Sequence, residues 1–425
     1  MLKELTADSQ VKFLLVTFTD LFGFMRSKLV PASAVEHLTR NGAAFAGFAT
    51  HFDRSPSEGD LVLHPDPATF IVLPWQKEVA WITGDLFAAG APFEQSPRSR
   101  LKHALERAQK RGLEVKTGVE AEFFLLSNGD HRPRDERDRH GKPCYDLFSL
   151  MYSYPILRDV CEALDALGWR PYQTDHEDAN GQFEINWEYG DALTTADRHA
   201  FFKFAVKSIS GMHGARASFM PKPFVDLTGS GCHVHCSVWT QGKNAFVQSG
   251  SSELSPLGQN FVGGLLENAP GLCALTNPTV NSYRRLNARS TSSGATWVTS
   301  NLRWGGDNRE VLVRVPDADR CEFRLPDGAG DPYLLQLAVV TAGMDGVTSQ
   351  IHPGEPKHPY RSARFNVDHL PSTLPGALEL LHSDETLMAA LGERLVRAYL
   401  RLRRAQYEDY TQSVSQWELN NTLDC

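Results

Sequence analysis

The chain has 425 residues, of which 41% are apolar and 22% are charged, a composition typical of a folded globular protein. Its formal net charge of −8 argues against nucleic acid as the main partner, although a local basic pocket could still bind an anionic substrate. A chain of this length exceeds the ~250–300 residues at which single hydrophobic cores usually divide, so we expect two domains.

The first 24 residues predict neither a secretion signal nor a membrane span, because Asp20 interrupts the longest apolar run and no small-residue cleavage site follows. The seven cysteines are an odd number scattered along the chain, which favours reduced buried thiols over a disulfide framework. We therefore expect a cytoplasmic protein that does not bind a membrane.

Short apolar runs separated by turn signals fill residues 11–93, which predicts a strand-rich N-terminal domain. The runs are VKFLLVTFTD, SKLV, NGAAFAGFA, DLVLHPDP, FIVLPW and VAWITGDL. A helical pattern then begins in SPRSRLKHALERAQKRG, where Ser96 can cap a helix and Gly112 can end one. We place the domain boundary at this change of pattern, with residues 1–97 in the N-terminal domain and residues 98–425 in the second domain.

The second domain mixes helical and strand patterns without repeated βαβ units, so we expect an α+β fold. Helical patterns cover residues 156–167, ADRHAFFKFAVKSISGM and PLGQNFVGGLLENA, and three more helical stretches follow near the C-terminus. The strand patterns are GVEAEFFLL, YQTDHE, QFEINWEY, GCHVHCSVW, VLVRVP and CEFRLP. We find no internal repeat and no glycine fingerprint for a dinucleotide.

The strand pattern GVEAEFFLL has two carboxylates on one face. Strand alternation puts Glu120 and Glu122 about 7 Å apart, on the same side as Phe124 and Leu126. Like charges on a half-apolar face repel each other unless a cation lies between them. An edge strand with a solvated polar face is the alternative interpretation.

A second acidic cluster lies in DHEDANGQFEIN. Asn180 and Gly181 form a strong hairpin signal, so Glu177 and Glu184 are predicted to lie close together on paired strands. The apolar residues on either side of Glu184 indicate that its strand is half buried. An exposed acidic turn is the alternative.

The strand GSGCHVHCSV combines histidines and cysteines. Alternation puts His233, His235 and Ser237 on one face, with Cys232 and Cys236 on the other. One tetrahedral zinc ion would need ligands from both faces, so the pattern does not favour a structural zinc site. Two histidines on one face favour a functional role over that of a hydrogen-bonded core histidine.

Arginines recur in NSYRRLN, DNREVLVRVP and CEFRLP. Arg314 and Arg324 interrupt apolar strands, where an unpaired charge is costly. Their planar guanidinium groups suit carboxylates and phosphates. Each arginine taken singly could be an ordinary surface residue.

Taken together, the glutamates and His233 form a ligand set that Mg²⁺ or Mn²⁺ would occupy in preference to zinc. Glu120 and Glu122 would then bind neighbouring metal ions. Arginines beside such ions suggest phosphoryl transfer, which depends on positioning and charge neutralisation. A metal-dependent amidohydrolase that uses His233 and His235 is the alternative enzyme class, although such sites have more histidines and fewer glutamates.

The order of these motifs resembles the glutamine synthetase family. The motifs are the E-x-E strand, HEDANGQFE, GSGCHVHCS, NSYRRL, NREVLVR and EFRLPD, all within residues 118–327. The resemblance implies an N-terminal β-grasp domain and a larger catalytic domain with a curved antiparallel sheet flanked by helices. It also implies an ATP-dependent ligase that joins L-glutamate to a small amine through γ-glutamyl phosphate. The implied assembly is a homo-oligomer, a dodecamer of two hexameric rings with active sites between subunits.

The resemblance also assigns roles to residues, motif by motif. One metal ion would be held by Glu122, Glu177 and Glu184, and another by Glu120, His233 and Glu322, with two or three Mg²⁺ or Mn²⁺ ions in each site. Glutamate would be bound by Gly229, Arg285 and Arg324. ATP would contact His235, Cys236, Ser237, Arg309 and Arg314, and the catalytic residues would be Arg309, Glu322 and Arg324.

The chain departs from the family pattern at positions that bear on the amine. FAGFA places Ala46 where many members have an aspartate that helps to hold ammonium, and Thr291 stands in place of a flap glutamate. Thr228 replaces an asparagine that commonly contacts glutamate. With Phe45 and Phe48 beside Ala46, the wall that faces the amine should be more apolar.

A pocket without these carboxylates would hold the strongly hydrated ammonium ion poorly. An alkylamine gains roughly 0.8 kcal/mol for each buried methylene-sized group. We therefore expect methylamine or another short alkylamine as the substrate. Ammonia, with Asp53 or Glu58 supplying the missing carboxylate, is the alternative, and a non-catalytic structural relative is an alternative of another class.

Overall fold

The computed structural model describes residues 1–248, 250–251, 253–298 and 300–425. The N-terminal elements are α1 (Leu2–Asp8), β1 (Phe13–Thr19), β2 (Met25–Pro31), α2 (Val35–Asn41), β3 (Ala43–Phe45), β4 (Leu61–Pro65), β5 (Ile71–Val72), β6 (Val79–Ala88) and β7 (Ala91–Pro92). They form a seven-stranded sheet in the order β2-β1-β6-β4-β3, with β5 and β7 also paired to β6. The central pair β1–β6 is parallel. The predicted strands are confirmed, whereas α1 and α2 went unpredicted because seven residues are too few to show a helical period.

The second part of the chain begins with the predicted helix. Its elements are α3 (Pro97–Gln109), β8 (Glu114–Ala121), β9 (Phe123–Ser127), α4 (Leu147–Ala166), β10 (Pro171–His176), β11 (Gln182–Trp187), β12 (Gly190–Asp191), α5 (Ala192–Met212), β13 (Ala215–Ser218), β14 (Cys232–Thr240), β15 (Lys243–Asn244), α6 (Pro256–Thr276), α7 (Val280–Leu286), β16 (Trp304–Gly305), β17 (Val313–Asp317), β18 (Arg320–Phe323), α8 (Pro332–Ser349), α9 (Leu374–Ser383), α10 (Glu385–Leu391), α11 (Glu393–Gln412) and α12 (Gln416–Thr422). The Ser96 side chain caps α3 by accepting a hydrogen bond from the backbone N–H of Ser99, as the sequence predicts. None of the helices in the described ranges combines the length and apolarity needed to cross a bilayer.

Two sheets support the second part of the chain. One has four strands in the order β10-β11-β9-β13, and the other has the order β12-β8-β14-β18-β17-β16, with β15 paired to β14. The predicted single strand GVEAEFFLL is wrong, because it contributes β8 to one sheet and β9 to the other, with Glu122 at the break. Beyond the break, the side chains from Phe123 to Leu126 are all buried, because Phe123 and Leu125 pack in one hydrophobic cluster while Phe124 and Leu126 pack in another. The break places Glu122 where the two sheets meet.

The C-terminal region contains five helices within the described residues, not the three predicted. Asp384 ends α9 and caps α10 by accepting a hydrogen bond from the backbone N–H of Leu387 at 2.9 Å. Gly392, with a φ of +116°, separates α10 from α11. Helices α6 and α8 are largely buried and approach closely, since a Cβ on Gly264 would lie 2.1 Å from the carbonyl oxygen of Ala342. This helical layer supports the sheets from behind.

A buried ionic network joins the N-terminal sheet to the second part of the chain. Arg98 in α3 is 4% exposed, and its guanidinium group contacts Asp66 and Asp85 at 2.8 Å and Asp197 in α5 at 3.0 Å. Asp197 accepts two hydrogen bonds from Arg98, and the Tyr333 hydroxyl donates a third at 2.7 Å. Burial raises the pKa of Asp197, while Arg98 opposes that shift. Arg98 therefore neutralises carboxylates from both parts of the chain.

We predict that Arg98→Met lowers the free energy of unfolding by about 3–5 kcal/mol, because Asp197 would remain buried without its cation. Arg170 is the control, since it is 74% exposed and pairs with Glu188 at 3.1 Å. Arg170→Met should change stability by no more than about 0.5 kcal/mol. Urea unfolding of both variants tests this prediction, and equal stability losses would contradict it.

Candidate active site

A cavity of about 110 Å³ opens beside the sheet junction. Its wall consists of Glu120, Glu122, Cys144, Tyr145, Gln173, Asp175, Glu177, Asp178, Glu184, Asn186, Thr228, Gly229, His233, Arg285, Thr296, Trp297, Val298, Arg309, Arg314 and Arg324. Ten of the predicted site residues thus share one cavity. The other four are Glu322, which is fully buried, and His235, Cys236 and Ser237, which line a neighbouring cavity.

Local structure explains how the carboxylates converge. The Asn180-Gly181 turn connects β10 to β11, as predicted, and Gly181 has a φ of +75° that favours glycine. In the hairpin, Asp175 lies directly opposite Glu184. Glu177 follows β10, and its backbone N–H donates to the carbonyl oxygen of Gln182 at 2.9 Å.

Three groups of side chains bring ligand atoms within 4.8 Å of one another. They are Glu120, His233 and Glu322; Glu122, Glu184 and His233; and Asp175, Glu177 and Glu184. The first group is the predicted set, whereas the other two divide the second predicted set and add Asp175 and His233. Asp175 was not among the predicted ligands, although its register opposite Glu184 in the predicted hairpin could have revealed it.

The electrostatics of the cavity favour a bound cation. Burial and neighbouring carboxylates, chiefly Glu122 for Glu177 and Glu120 for Glu184, raise the pKa of both side chains well above the usual range. Carboxylate oxygens with one imidazole are the ligands that Mg²⁺ or Mn²⁺ would accept. The residues present therefore fit the predicted divalent ions.

Glu120, unlike Glu177 and Glu184, is stabilised in its charged form by two histidines of the chain. Burial raises the pKa of Glu120, but hydrogen bonds from His233 and His235 outweigh it and hold this pKa well below the usual range. Arg320 Nε donates to His235 Nδ1 at 3.3 Å, which leaves His235 Nε2–H to donate to Glu120 Oε1 at 2.8 Å. Glu120 thus lies between the histidines and the other carboxylates.

Glu322 is held by two arginines. In the sheet it lies opposite His235 on β14 and Arg314 on β17. Arg324 Nη1 donates to Glu322 Oε1 at 2.5 Å, and Arg314 Nη1 donates to Glu322 Oε2 at 2.7 Å. Burial raises the pKa of Glu322, but the charges of His233 and Arg324 outweigh it and lower this pKa to about 2. The two strand arginines are therefore paired, as their positions in apolar strands require.

Arg285 is a buried arginine of the wall with a donor that lacks a partner within the described ranges. It is 2% exposed, its Nη1 donates to the carbonyl oxygen of Leu325 at 3.1 Å, and its Nε has no hydrogen-bond acceptor among the described residues. Gly229 lies beside it, where a Cβ would be 2.4 Å from the carbonyl oxygen of Pro221 and 3.1 Å from Arg285 Cγ. A buried cation beside open backbone suits a carboxylate ligand.

A second cavity of about 550 Å³ shares Glu120 with the first. His235 and Ser237 face it from β14, whereas the Cys236 side chain is 1% exposed and lies opposite Cys321, so the predicted alternation of faces is confirmed. Lys116 Nζ lies 3.7 Å from the centroid of the Trp239 ring, and Trp239 Nε1 donates to Ser237 Oγ at 2.9 Å. An aromatic wall with a cation fits a nucleotide base and its phosphates.

The residues predicted to form an apolar wall around the amine lie elsewhere in this chain. Phe45 is buried against Phe18, with ring centroids 4.9 Å apart, so the prediction that it faces the amine is wrong. Ala46 and Phe48 are exposed and lie outside both cavities. The apolar part of the wall is instead formed by Trp297 and Val298, which no motif indicated.

The carboxylates considered as substitutes for the missing aspartate also lie outside this cavity. Asp53 pairs with Arg401, and Glu58 lies 3.5 Å from Arg54. Neither side chain contributes a charge to the wall of the cavity formed by one chain.

We predict that Glu184→Gln lowers Mn²⁺ affinity by roughly tenfold or more, since changes in the second coordination shell alone typically cost 10–100-fold. Glu188→Gln is the control, because Glu188 is exposed just beyond the same strand and pairs with Arg170. Calorimetric titration of both metal-free variants with Mn²⁺ measures the difference. Equal affinities would remove Glu184 from the metal site.

The chain is similar to known proteins along almost its whole length. Residues 94–422 match the family described as glutamine synthetase, catalytic domain, and residues 10–89 match the glutamine synthetase β-grasp domain. A glutamine synthetase of Rhizobium leguminosarum bv. phaseoli is 48% identical over 424 residues, which cover 98% of both chains. A glutamate–methylamine ligase of Methyloversatilis universalis is 39% identical, with 99% of this chain and 98% of that protein covered.

A solved structure described as the GmaS/ADP complex, conformation 1, matches with a TM-score of 0.94 at 46% identity, and all of both chains is covered. These matches confirm the predicted α+β fold with an N-terminal β-grasp domain and a larger catalytic domain. The chain belongs to the glutamine synthetase family.

Proposed function

We propose that the protein is a carbon–nitrogen ligase that uses ATP to join the γ-carboxyl of L-glutamate to a short alkylamine, with methylamine as the preferred amine. The main support for this proposal is the set of buried carboxylates in the first cavity. They lie between Arg285, which suits a carboxylate ligand, and the second cavity, which suits a nucleotide. The methylamine ligase relative and the ADP-bound GmaS structure support the same chemistry.

Substrate glutamate would bind at Arg285, Gly229 and Arg324. The unsatisfied guanidinium of Arg285 suits the substrate's α-carboxylate. Arg324 is already bonded to Glu322, so its remaining donors would face the group that reacts. This arrangement holds the γ-carboxyl toward the carboxylate cluster.

ATP would occupy the second cavity, against the backbone and side chains of His235, Cys236 and Ser237. Arg309 and Arg314 reach the first cavity and would contact the phosphates, so the transferred phosphoryl group would cross near Glu120. Arg309, Glu322 and Arg324 are the proposed catalytic residues. Their charges offset the charge of the γ-glutamyl phosphate intermediate.

Mg²⁺ or Mn²⁺, as two or three ions, would be held by Glu120, Glu122, Glu177, Glu184, His233 and Glu322. Asp175 is a further candidate, because its ligand atom lies within 4.8 Å of those of Glu177 and Glu184. When bound, such ions neutralise phosphate charge and polarise the phosphoryl group. The chain's own contribution is to hold the ligand oxygens close together in a site largely shielded from water.

The division into domains and the assembly are also proposals. We assign residues 1–97 to the N-terminal domain and residues 98–425 to the catalytic domain of a cytoplasmic homo-oligomer, a dodecamer of two hexameric rings. Ala46 and Phe48 are exposed and outside both cavities of their own chain, which suits a role in the site of an adjacent subunit. In that arrangement each amine pocket would be completed by its neighbour.

Ammonia is the second candidate amine. The Rhizobium glutamine synthetase is 48% identical to this chain, whereas the methylamine ligase is 39% identical. The wall formed by Trp297 and Val298 favours the alkylamine. The chemistry of the ligase is the same in both cases.

We predict that kcat/KM for methylamine exceeds that for ammonia by at least roughly fourfold when the two are compared at equal concentrations of unprotonated amine. This is the factor that corresponds to the roughly 0.8 kcal/mol gained by burying one methylene-sized group. Glutamate-dependent phosphate release and amide formation with a panel of amines test this prediction. Glu184→Gln protein serves as the blank. A preference for ammonia would favour glutamine synthetase activity, and no turnover with any amine would favour a non-catalytic relative.

A further inference from the structure

One carboxylate in the cavity wall connects two distant loops. Asp178 is 7% exposed, and its Oδ2 accepts hydrogen bonds from Thr228 Oγ1 at 3.0 Å, Ser293 Oγ at 2.5 Å and Trp297 Nε1 at 2.7 Å. Thr228 precedes β14, whereas Ser293 and Trp297 belong to residues 288–298, between α7 and β16. Two of the three donors on this one oxygen belong to the segment, so Asp178 is a principal anchor of it.

The segment of residues 288–298 closes one side of the cavity. Thr296, Trp297 and Val298 line it, and the Trp297 ring lies 6.0 Å from the guanidinium carbon of Arg309. Trp297 has a φ of +56°, a left-handed conformation that is unfavourable for a bulky side chain. Such a conformation persists only where surrounding contacts hold it, and the bond from Nε1 to Asp178 is such a contact.

We infer that Asp178 is a positioning residue that holds Trp297 over the cavity, where the indole excludes water from the acyl phosphate and packs against the alkyl group of the amine. This inference rests on the proposed function, since it requires an acyl phosphate beside Arg309. Asp178 itself contacts neither the reacting atoms nor the phosphate in this arrangement.

The chemistry makes water exclusion measurable. In ligation, the amine nitrogen bonds to the carbonyl carbon of the γ-carboxyl group, the bond from this carbon to the phosphate oxygen breaks, and inorganic phosphate leaves while the nitrogen loses a proton to solvent. If water attacks instead, its oxygen bonds to the same carbon and the same bond breaks. The products are then glutamate, phosphate and a proton, so ATP is consumed without formation of an amide.

The ratio of phosphate released to amide formed therefore reports how well the cavity excludes water. We expect a ratio near one in the wild type with glutamate and methylamine. Asp178→Ala and Trp297→Ala should raise it severalfold and lower the preference for methylamine over ammonia, while KM for ATP changes little. Asp178→Asn should restore part of the coupling because it keeps an acceptor oxygen, and Trp297→Phe should do so because it keeps a ring.

Trp304→Phe is the matched control. It also removes an indole hydrogen bond, from Trp304 Nε1 to the carbonyl oxygen of Gly354 at 3.1 Å, but it leaves Asp178 untouched. Its ratio of phosphate to amide should equal that of the wild type. Trypsin cleavage after the exposed Arg289 provides a readout that is independent of activity. Cleavage should accelerate severalfold in Asp178→Ala protein but not in Trp304→Phe protein.

A ratio near one and unchanged cleavage in Asp178→Ala protein, even with a reduced rate, would overturn the inference. If Asp178→Ala or Trp297→Ala protein does not fold, Asp178→Asn and Trp297→Phe decide between the outcomes. If the wild type is active and these variants also release one phosphate for each amide formed, only the positioning role of Asp178 is overturned. An inactive wild type overturns the proposed function and this inference together.

Discussion

Repulsion among buried carboxylates is the constraint on which the site depends. Glu122, Glu177 and Glu184 converge where two sheets meet, and burial with mutual repulsion raises the pKa of the latter two. A chain that stabilises such a cluster must either protonate it or bind cations. The surrounding sheets and the buried helices behind them hold the cluster in place, so binding of metal ions would relieve a repulsion that folding creates.

The same physics explains why the other half of the cluster needs no ion to be stable. Glu322 is fully buried, yet both of its oxygens accept from arginines, and Glu120 accepts from His235. The charge balance therefore changes across the cluster. Arginines and histidines of the chain offset the charges of Glu322 and Glu120, whereas Glu177 and Glu184 lie mainly among other carboxylates. Ligands with opposite charges can be placed along this gradient, with phosphate groups toward the arginines and cations toward the carboxylates.

The segment of residues 288–298 lines the cavity without contributing to the described groups of metal-ligand side chains. Its contacts to Asp178 come from Ser293 and Trp297, which lie outside the motifs, and Trp297 presents an apolar surface beside a strongly polar cavity. Within one chain, the apolar side chains of Trp297 and Val298 line this cavity, whereas Ala46 and Phe48 do not. Changes in this segment could alter the amine without disturbing the carboxylate cluster.

Local sequence signals determined much of this architecture. The cap at Ser96, the hairpin at Asn180-Gly181 and the alternation of side chains in β14 depend on neighbouring residues, so they could be predicted from the sequence and are confirmed. The spacing of the motifs was sufficient to predict the family, which the comparisons confirm.

Only the tertiary structure decided how these pieces meet. The break at Glu122 follows from the pairing of β8 and β9 with different sheets, and the approach of His233 in one sheet to Glu184 in the other depends on how the sheets pack. The bonds of Asp178 to Ser293 and Trp297 span 115 and 119 residues. Local sequence patterns extend over a few residues, whereas such contacts depend on loops that are brought together only when the whole chain folds.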